Sequence, residues 1–200
     1  MKRLLIATTN PKKLSELQTL LAGLDLCLIS LRDLKSFKEV DENGKTFSEN
    51  ASLKALGYAG ESGFLTLAED SGLCVDALEG APGVYSARFA GASKKDEDNN
   101  RKLLKLLEKV PDNCRGAHFI SAVALAEPDR LVGVVEAEVH GLVSQAICGT
   151  NGFGYDPVFF YPAFGKTFGE VPVEMKHRVS HRSQALSKAR VLLERYLQAN

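Results

Sequence analysis

An α/β fold with a mixed, twisted central sheet flanked by helices is predicted here by two patterns. Through residue 70, short apolar runs alternate with segments whose apolar residues recur at three- and four-residue steps, which is strand and helix in turn. Beyond that point two long apolar runs face each other across Glu127-Pro128-Asp129-Arg130, a hairpin signal, so the sheet is not wholly parallel. The chain of 200 residues is long enough for one sizeable core, split into two lobes around an active-site cleft. No internal repeat, low-complexity tract or linker interrupts it, so residues 1–200 read as a single domain of two lobes.

In chain order, Met1-Lys2-Arg3-Leu4-Leu5-Ile6-Ala7 begins as a signal peptide does, but its apolar run breaks at Thr8-Thr9-Asn10-Pro11. It is too short for an h-region or a membrane span and reads as a buried first strand over 3–8. Leu14, Leu17, Leu21 and Leu24 mark a helix, and residues 26–30 a second strand. Thr46 or Ser48 caps another helix carrying Ala51, Lys54, Ala55 and Tyr58. Further strands are expected over 65–69, 117–126 and 131–143, with shorter pieces at 74–77 and 158–160. Leu103, Leu106, Leu107 and Val110 mark a helix between them, and a last helix follows Ser180.

Lys plus Arg and Asp plus Glu each number 25, so the formal net charge is zero. A protein whose main task is to coat nucleic acid or an anionic membrane is thereby disfavoured, and any positive potential is local. The four cysteines, Cys27, Cys74, Cys114 and Cys148, lack paired metal-ligand spacing and read as reduced thiols of a cytoplasmic protein.

The chemistry centres on Glu69-Asp70-Ser71-Gly72, two carboxylates directly behind an apolar run. At the carboxyl end of a buried strand, where open α/β sheets place their ligands, they suit a hard divalent cation that relieves their mutual repulsion. Asp-Ser-Gly is also ordinary turn chemistry, so a solvated turn is the plain alternative. In Thr8-Thr9-Asn10-Pro11-Lys12-Lys13, Asn10 suits the N-cap and Pro11 the first helical position, which puts both lysines in the first turn. Basic residues are disfavoured there by about 0.3–1 kcal/mol each, unless a bound anion reverses the sign or salt screens the penalty. The same anomaly recurs after Ser180, where His181 and Arg182 open the last helix with Lys176 just ahead. His181 also fits a plain cap-region hydrogen-bonding role.

Gly149-Thr150-Asn151-Gly152-Phe153-Gly154-Tyr155-Asp156-Pro157 lets backbone approach a ligand closely, with Phe153 and Tyr155 as flat apolar surfaces for a nucleobase and Asp156 to orient or brace. A tight turn that packs its rings into the core is the rival reading. The acidic loop Glu39-Val40-Asp41-Glu42-Asn43-Gly44 offers Glu42 as a second metal carboxylate beside Asp70, although exposed acidic loops are more often solvated. Asn50 and Lys54, four apart, share a helix face.

Taken together, Thr8-Thr9-Asn10-Pro11-Lys12-Lys13, Thr46-Phe47-Ser48-Glu49-Asn50-Ala51, Glu69-Asp70-Ser71-Gly72-Leu73, Gly80-Ala81-Pro82-Gly83-Val84-Tyr85-Ser86-Ala87-Arg88, Gly152-Phe153-Gly154-Tyr155-Asp156-Pro157 and Ser180-His181-Arg182 resemble the Ham1/RdgB family of noncanonical purine nucleoside triphosphate pyrophosphatases. The ordered match covers almost the whole chain. The resemblance implies an ITPase-like fold and hydrolysis of inosine, deoxyinosine or xanthosine triphosphate to the monophosphate and pyrophosphate, which cleanses the nucleotide pool of deaminated purines. It also implies Mg²⁺ and a homodimer, while the neutral charge argues against nucleic acid or membrane as partner. By the same resemblance Asp70 matches the catalytic acid-base and metal position, and Ser71 a substrate contact. Thr8, Thr9, Asn10, Pro11, Lys12, Lys13, Lys176, Phe153, Gly154, Tyr155 and Asp156 match substrate-binding positions, and His181-Arg182 match the pair near the purine. The chain departs from many bacterial members in having Glu69 for Asp, and Asn151 and Ser183 for Gly.

A mechanism follows as an expectation. Mg²⁺ bridges the carboxylates Asp70, Glu42 and Glu69 to the triphosphate, and Asp70 positions or deprotonates a water. Lys13 and Lys54 neutralise charge on the phosphates. Phe153 or Tyr155 stacks on the base, and His181 with Arg182 favours a carbonyl over an amino group at purine position 6. A catalytically silent nucleotide-binding module is the rival from another class, and the three carboxylates argue against it.

Overall fold

The computed structural model describes residues 2–34, 36–93 and 95–199, with the side chain of Lys12, a substrate-binding candidate, outside the described part. The strands are β1 (Lys2–Ile6), β2 (Leu26–Ser30), β3 (Leu65–Val75), β4 (Gly116–Glu127), β5 (Arg130–Val143), β6 (Phe159–Tyr161) and β7 (Lys166–Thr167). The helices are α1 (Pro11–Leu20), α2 (Phe47–Ser62), α3 (Asp96–Leu106), α4 (Val173–His177) and α5 (His181–Ala199). The strands form one seven-stranded sheet in the order β2-β1-β3-β4-β5-β6-β7. It is mixed, as expected: β1 runs parallel to β2 and β3, and β6 antiparallel to β5 and β7.

The described chain resolves into two compact units, one of residues 1–70, 121–137 and 184–200, the other of residues 71–120 and 138–183. In the first, Leu4 and Ile6 of β1, Leu65 and Leu67 of β3, and Val123 and Leu125 of β4 pack with Leu17 of α1 and Ala185, Leu186, Ala189 and Leu193 of α5. Leu5 is fully buried as well, so both faces of β1 are covered, which is why it reads as a continuous apolar run rather than an alternation. In the second unit, Leu73, Val75, Leu103, Phe119, Val139, Tyr155, Phe159 and Phe168 form a separate core.

The main correction concerns β3. It does not end at the carboxylates but runs through Glu69, Asp70, Ser71 and Gly72 to Val75, so the expected short strand at 74–77 is its continuation, followed by a 3₁₀ turn over Asp76–Leu78. The parallel ladder with β1 covers only Leu65, Thr66 and Leu67. Its neighbour on the other side, β4, has 12 residues, and that partner lets β3 extend past the end of β1. The carboxylates therefore lie just beyond the carboxyl end of the parallel part while still within a strand. Helix boundaries moved too: α1 stops at Leu20 and α3 at Leu106, so Leu21, Leu24, Leu107 and Val110 act from the turns that follow. The strand β7 was not anticipated. No described helix is long and apolar enough to cross a membrane, and the four cysteines are unbridged.

Candidate active site

In the first unit, cap chemistry sets the loop before α1. Asn10 Oδ1 accepts from Lys13 N–H at 3.3 Å, and Asn10 N–H donates to Thr8 Oγ1 at 3.1 Å. Asn10 is thus the N-cap and Pro11 opens the helix, with no acidic residue in its first turn. Thr9 C=O accepts from the Arg32 guanidinium at 3.4 Å. Lys13 Nζ lies 3.7 Å from Glu69 Oε2.

Helix α2 brings the second set of groups. Thr46 is its N-cap, accepting from Glu49 N–H at 3.1 Å. From its face Lys54 Nζ reaches Glu42 Oε2 at 3.1 Å and Asp70 Oδ1 at 3.7 Å, so one ammonium stands between the two carboxylates. Asn50, buried one turn earlier, accepts from Gly44 N–H at 2.8 Å and hydrogen-bonds Asp70. Burial pushes the Asp70 carboxyl above the usual carboxylate range and Glu42 adds to the rise; Lys54, Lys13 and the Asn50 hydrogen bond pull the other way without cancelling it. A carboxylate held this way is suited to take a proton, and it gains from any added cation.

Glu69 sits differently. Its side chain is 2 % exposed, and Oε1 accepts from the buried Ser121 hydroxyl at 3.1 Å. Glu69 is therefore tied to β4 and to Lys13, whereas Asp70 and Glu42 share Lys54. Oxygen donors of this kind fit Mg²⁺, which binds through one or two carboxylates and completes its shell with phosphate oxygens and water. Among the described residues no three His, Cys, Asp or Glu side chains are gathered as a metal cage.

The second unit holds the aromatic and basic residues. Phe153 N–H donates to Asp156 Oδ2 at 2.8 Å, and the same oxygen takes Lys176 Nζ at 2.5 Å. Both Asp156 and Lys176 are buried, so the loop is braced by an ion pair rather than by a solvated turn. Lys176 Nζ stands 4.9 Å from the Phe153 ring centroid and the Arg182 guanidinium 5.0 Å from it, both in cation–π range. Arg182 also donates to Ser71 Oγ at 3.2 Å. His181 is buried with its ring stacked on Phe119, centroids 4.6 Å apart and planes 14° from parallel. Ser180 caps α5, its Oγ accepting from Ser183 N–H at 3.2 Å.

Tyr155 is not one of the available faces. Its ring is buried in the core, its hydroxyl donates to Ser86 C=O at 2.8 Å, and burial pushes the phenol far above its usual range. The core reading of that ring holds, whereas Phe153 is only partly buried. Gly152, at φ +77, has a structural reason: a Cβ there would meet Asp156 Oδ2 at 2.0 Å. Of the three residues that depart from the resembled pattern, Asn151 and Ser183 are also accommodated. Asn151 donates through Nδ2 to Val171 C=O at 3.1 Å, and Ser183 Oγ shares a hydrogen bond with Ser180 Oγ at 2.9 Å.

Three residues of these clusters were not among the candidates. Asn50 carried a signal, its four-residue spacing from Lys54. Ser121 and Phe119, inside an apolar strand, carried none; only the pairing of β4 in the sheet brings them to Glu69 and His181.

Known proteins match this chain along most of its length. A model of the Ham1 family matches residues 4–191. The dITP/XTP pyrophosphatase of Desulforamulus reducens is 47 % identical over 193 residues, 96 % of each chain. That of Geobacter sulfurreducens is 49 % identical over 187 residues, 94 % of each. The structure of a HAM1 protein from Coxiella burnetii superposes with a TM-score of 0.91 at 36 % identity, covering 98 % of this chain and all of that one. Matched nearly end to end by family model, relatives and fold, the chain belongs to the Ham1 family.

Proposed function

We propose that this protein is a pyrophosphatase of dITP and XTP, and of ITP with them, cutting between the α- and β-phosphates to release the nucleoside monophosphate and pyrophosphate. The observation that carries the reading is Asp70, a mostly buried carboxylate with a raised pKa, set against Lys54, Lys13, Asn50 and Glu42. The names of the relatives supply the substrate class.

In this reading the Asp70 cluster takes the triphosphate and the Phe153 cluster the purine. Asp70 accepts a proton from a water that attacks phosphorus in line, and the pair of electrons of the broken anhydride bond leaves on pyrophosphate. Lys13 and Lys54, with the N–H groups at the start of α1, stabilise charge on the phosphate oxygens. Asp70 and Glu42 hold Mg²⁺ when it is bound, and the ion supplies Lewis-acid neutralisation of the phosphates. Glu69, committed to Ser121 and Lys13, orients Lys13 and contributes less directly. Phe153 stacks on the purine, and the Arg182 and His181 donors favour a carbonyl at position 6, since an amino group there leaves a buried donor unpaired. The reading includes a homodimer in the cytoplasm.

The test is a panel of nucleoside triphosphates assayed for pyrophosphate release with added Mg²⁺. Turnover of dITP and XTP well above dATP is expected. Equal efficiency on dATP removes the discrimination, and no pyrophosphate from any of them removes the activity.

A further inference from the structure

Gly154 is held at both of its backbone polar groups by two side chains of one helix. Its N–H donates to Asp96 Oδ2 at 2.6 Å, and its C=O accepts from Asn100 Nδ2 at 2.9 Å. Asp96 and Asn100 are four apart in α3 and so stand on one face, spaced by a helical turn to meet a single residue. Asn100 is 3 % exposed, and its Oδ1 has no hydrogen-bond partner among the described residues. A buried amide oxygen left unmatched is costly, and the orientation persists because only it presents Nδ2 to the Gly154 carbonyl.

The neighbouring Asn99 grips a different segment, accepting from Ala90 N–H at 2.7 Å and donating to Ala87 C=O at 3.2 Å. That segment contains Ser86, whose carbonyl takes the Tyr155 hydroxyl and whose own hydroxyl accepts from Leu73 N–H at 2.9 Å. Adjacent residues of α3 thus tie the Phe153 loop and the 83–90 segment to one rigid element. Phe153 lies between Gly152 and Gly154, both in the left-handed region at φ +77 and +61. Left free, such a pair of glycines swings the ring widely; here Asp156 fixes its N-terminal side and the α3 pair its C-terminal side.

The geometry points to Asp96 and Asn100 as a positioning clamp that sets the Phe153 ring for the base. Neither residue touches the reacting atoms. The inference rests on the proposed role of Phe153 in stacking, and the clamp fixes how well that role is performed.

Two measurements test it on the full-length enzyme. The first needs no substrate: hydrogen exchange of the 152–156 backbone. Exchange faster by about tenfold or more is expected in Asn100→Ala and in Asp96→Ala, with wild-type protection recovered in Asp96→Asn, which keeps an acceptor oxygen. Unchanged exchange in both alanine variants overturns the clamp, whether or not the wild type turns over dITP. The second is the split of KM from kcat for dITP. Asn100→Ala is expected to raise KM about tenfold with kcat within about threefold, Asp96→Ala to raise KM about threefold, and Asp96→Asn to restore it. A purely structural role lowers the melting temperature and kcat with KM unmoved, and that outcome overturns the clamp. Asp96 is on the surface, so its variants decide the matter even if Asn100→Ala folds poorly. Wild-type protein that releases no pyrophosphate strikes the functional reading before any variant is made, and exchange then still judges the clamp.

Discussion

Lys176 Nζ lies 2.5 Å from Asp156 Oδ2, with both side chains almost wholly buried. A pair of this kind adds little net stability, but removing one member strands the other charge without water. Asp156→Asn is therefore expected to destabilise the fold by about 3 kcal/mol or more, read by denaturant unfolding. A loss below about 1 kcal/mol shows that Lys176 finds water or another acceptor, and that the pair does not brace the loop.

The two loop glycines separate crowding from backbone strain. At Gly152 an added methyl meets Asp156 Oδ2, while at Gly154 it meets nothing within 4 Å. Both substitutions bear the left-handed penalty of about 1–2 kcal/mol. Gly152→Ala is expected to cost clearly more than Gly154→Ala in thermal unfolding and to raise KM for dITP more steeply. Equal costs leave Asp156 free to move aside.

Asp70→Asn is expected to abolish pyrophosphate release while sparing nucleotide binding, and also to raise the melting temperature of the metal-free protein at neutral pH. The sign follows from the raised carboxyl pKa, which burial causes first and Glu42 second. A group whose folded pKa exceeds its unfolded value of about 4 contributes stability that is full below that value and lost as pH rises through the folded one. The amide escapes that loss, so its advantage shrinks as pH falls toward about 4. A variant less stable than wild type at pH 7 contradicts the assignment, and an active one removes Asp70 from the catalytic role.

The rings at 153 and 155 make opposite predictions. Phe153→Leu removes a flat face and two cation–π contacts and is expected to raise KM for dITP about tenfold with little change in stability. Tyr155→Phe deletes the bond to Ser86 and is expected to cost about 1 kcal/mol of stability with KM unchanged. Steady-state kinetics beside thermal unfolding checks both; a KM effect confined to Tyr155→Phe reverses the roles of the two rings.

Much of this site is local and therefore legible. Asn10 and Pro11 start α1, Thr46 starts α2 and Ser180 starts α5 because a cap needs only a side-chain oxygen a few residues from the N–H groups it satisfies. Basic first turns at Lys13 and at His181-Arg182, the four-residue Asn50 and Lys54 spacing, and the hairpin turn between β4 and β5 are written within short windows, where periodicity and charge speak directly.

The alternation of strands and helices, the placement of carboxylates behind a buried run and the ordered motifs of the family are all written in the order of residues. Tertiary structure alone decided that β3 runs on through Asp70, since the length of β4 controls where its backbone groups find partners. It alone sent Tyr155 into the core, its hydroxyl on Ser86 C=O, and set Phe153 within cation–π range of Lys176 and Arg182. It also divided the acids, giving Glu69 to Ser121 and Lys13 and leaving Asp70 with Lys54 and Asn50. Adjacent strand residues point to opposite faces, so two neighbouring carboxylates meet different partners, and only the packing of distant segments says which.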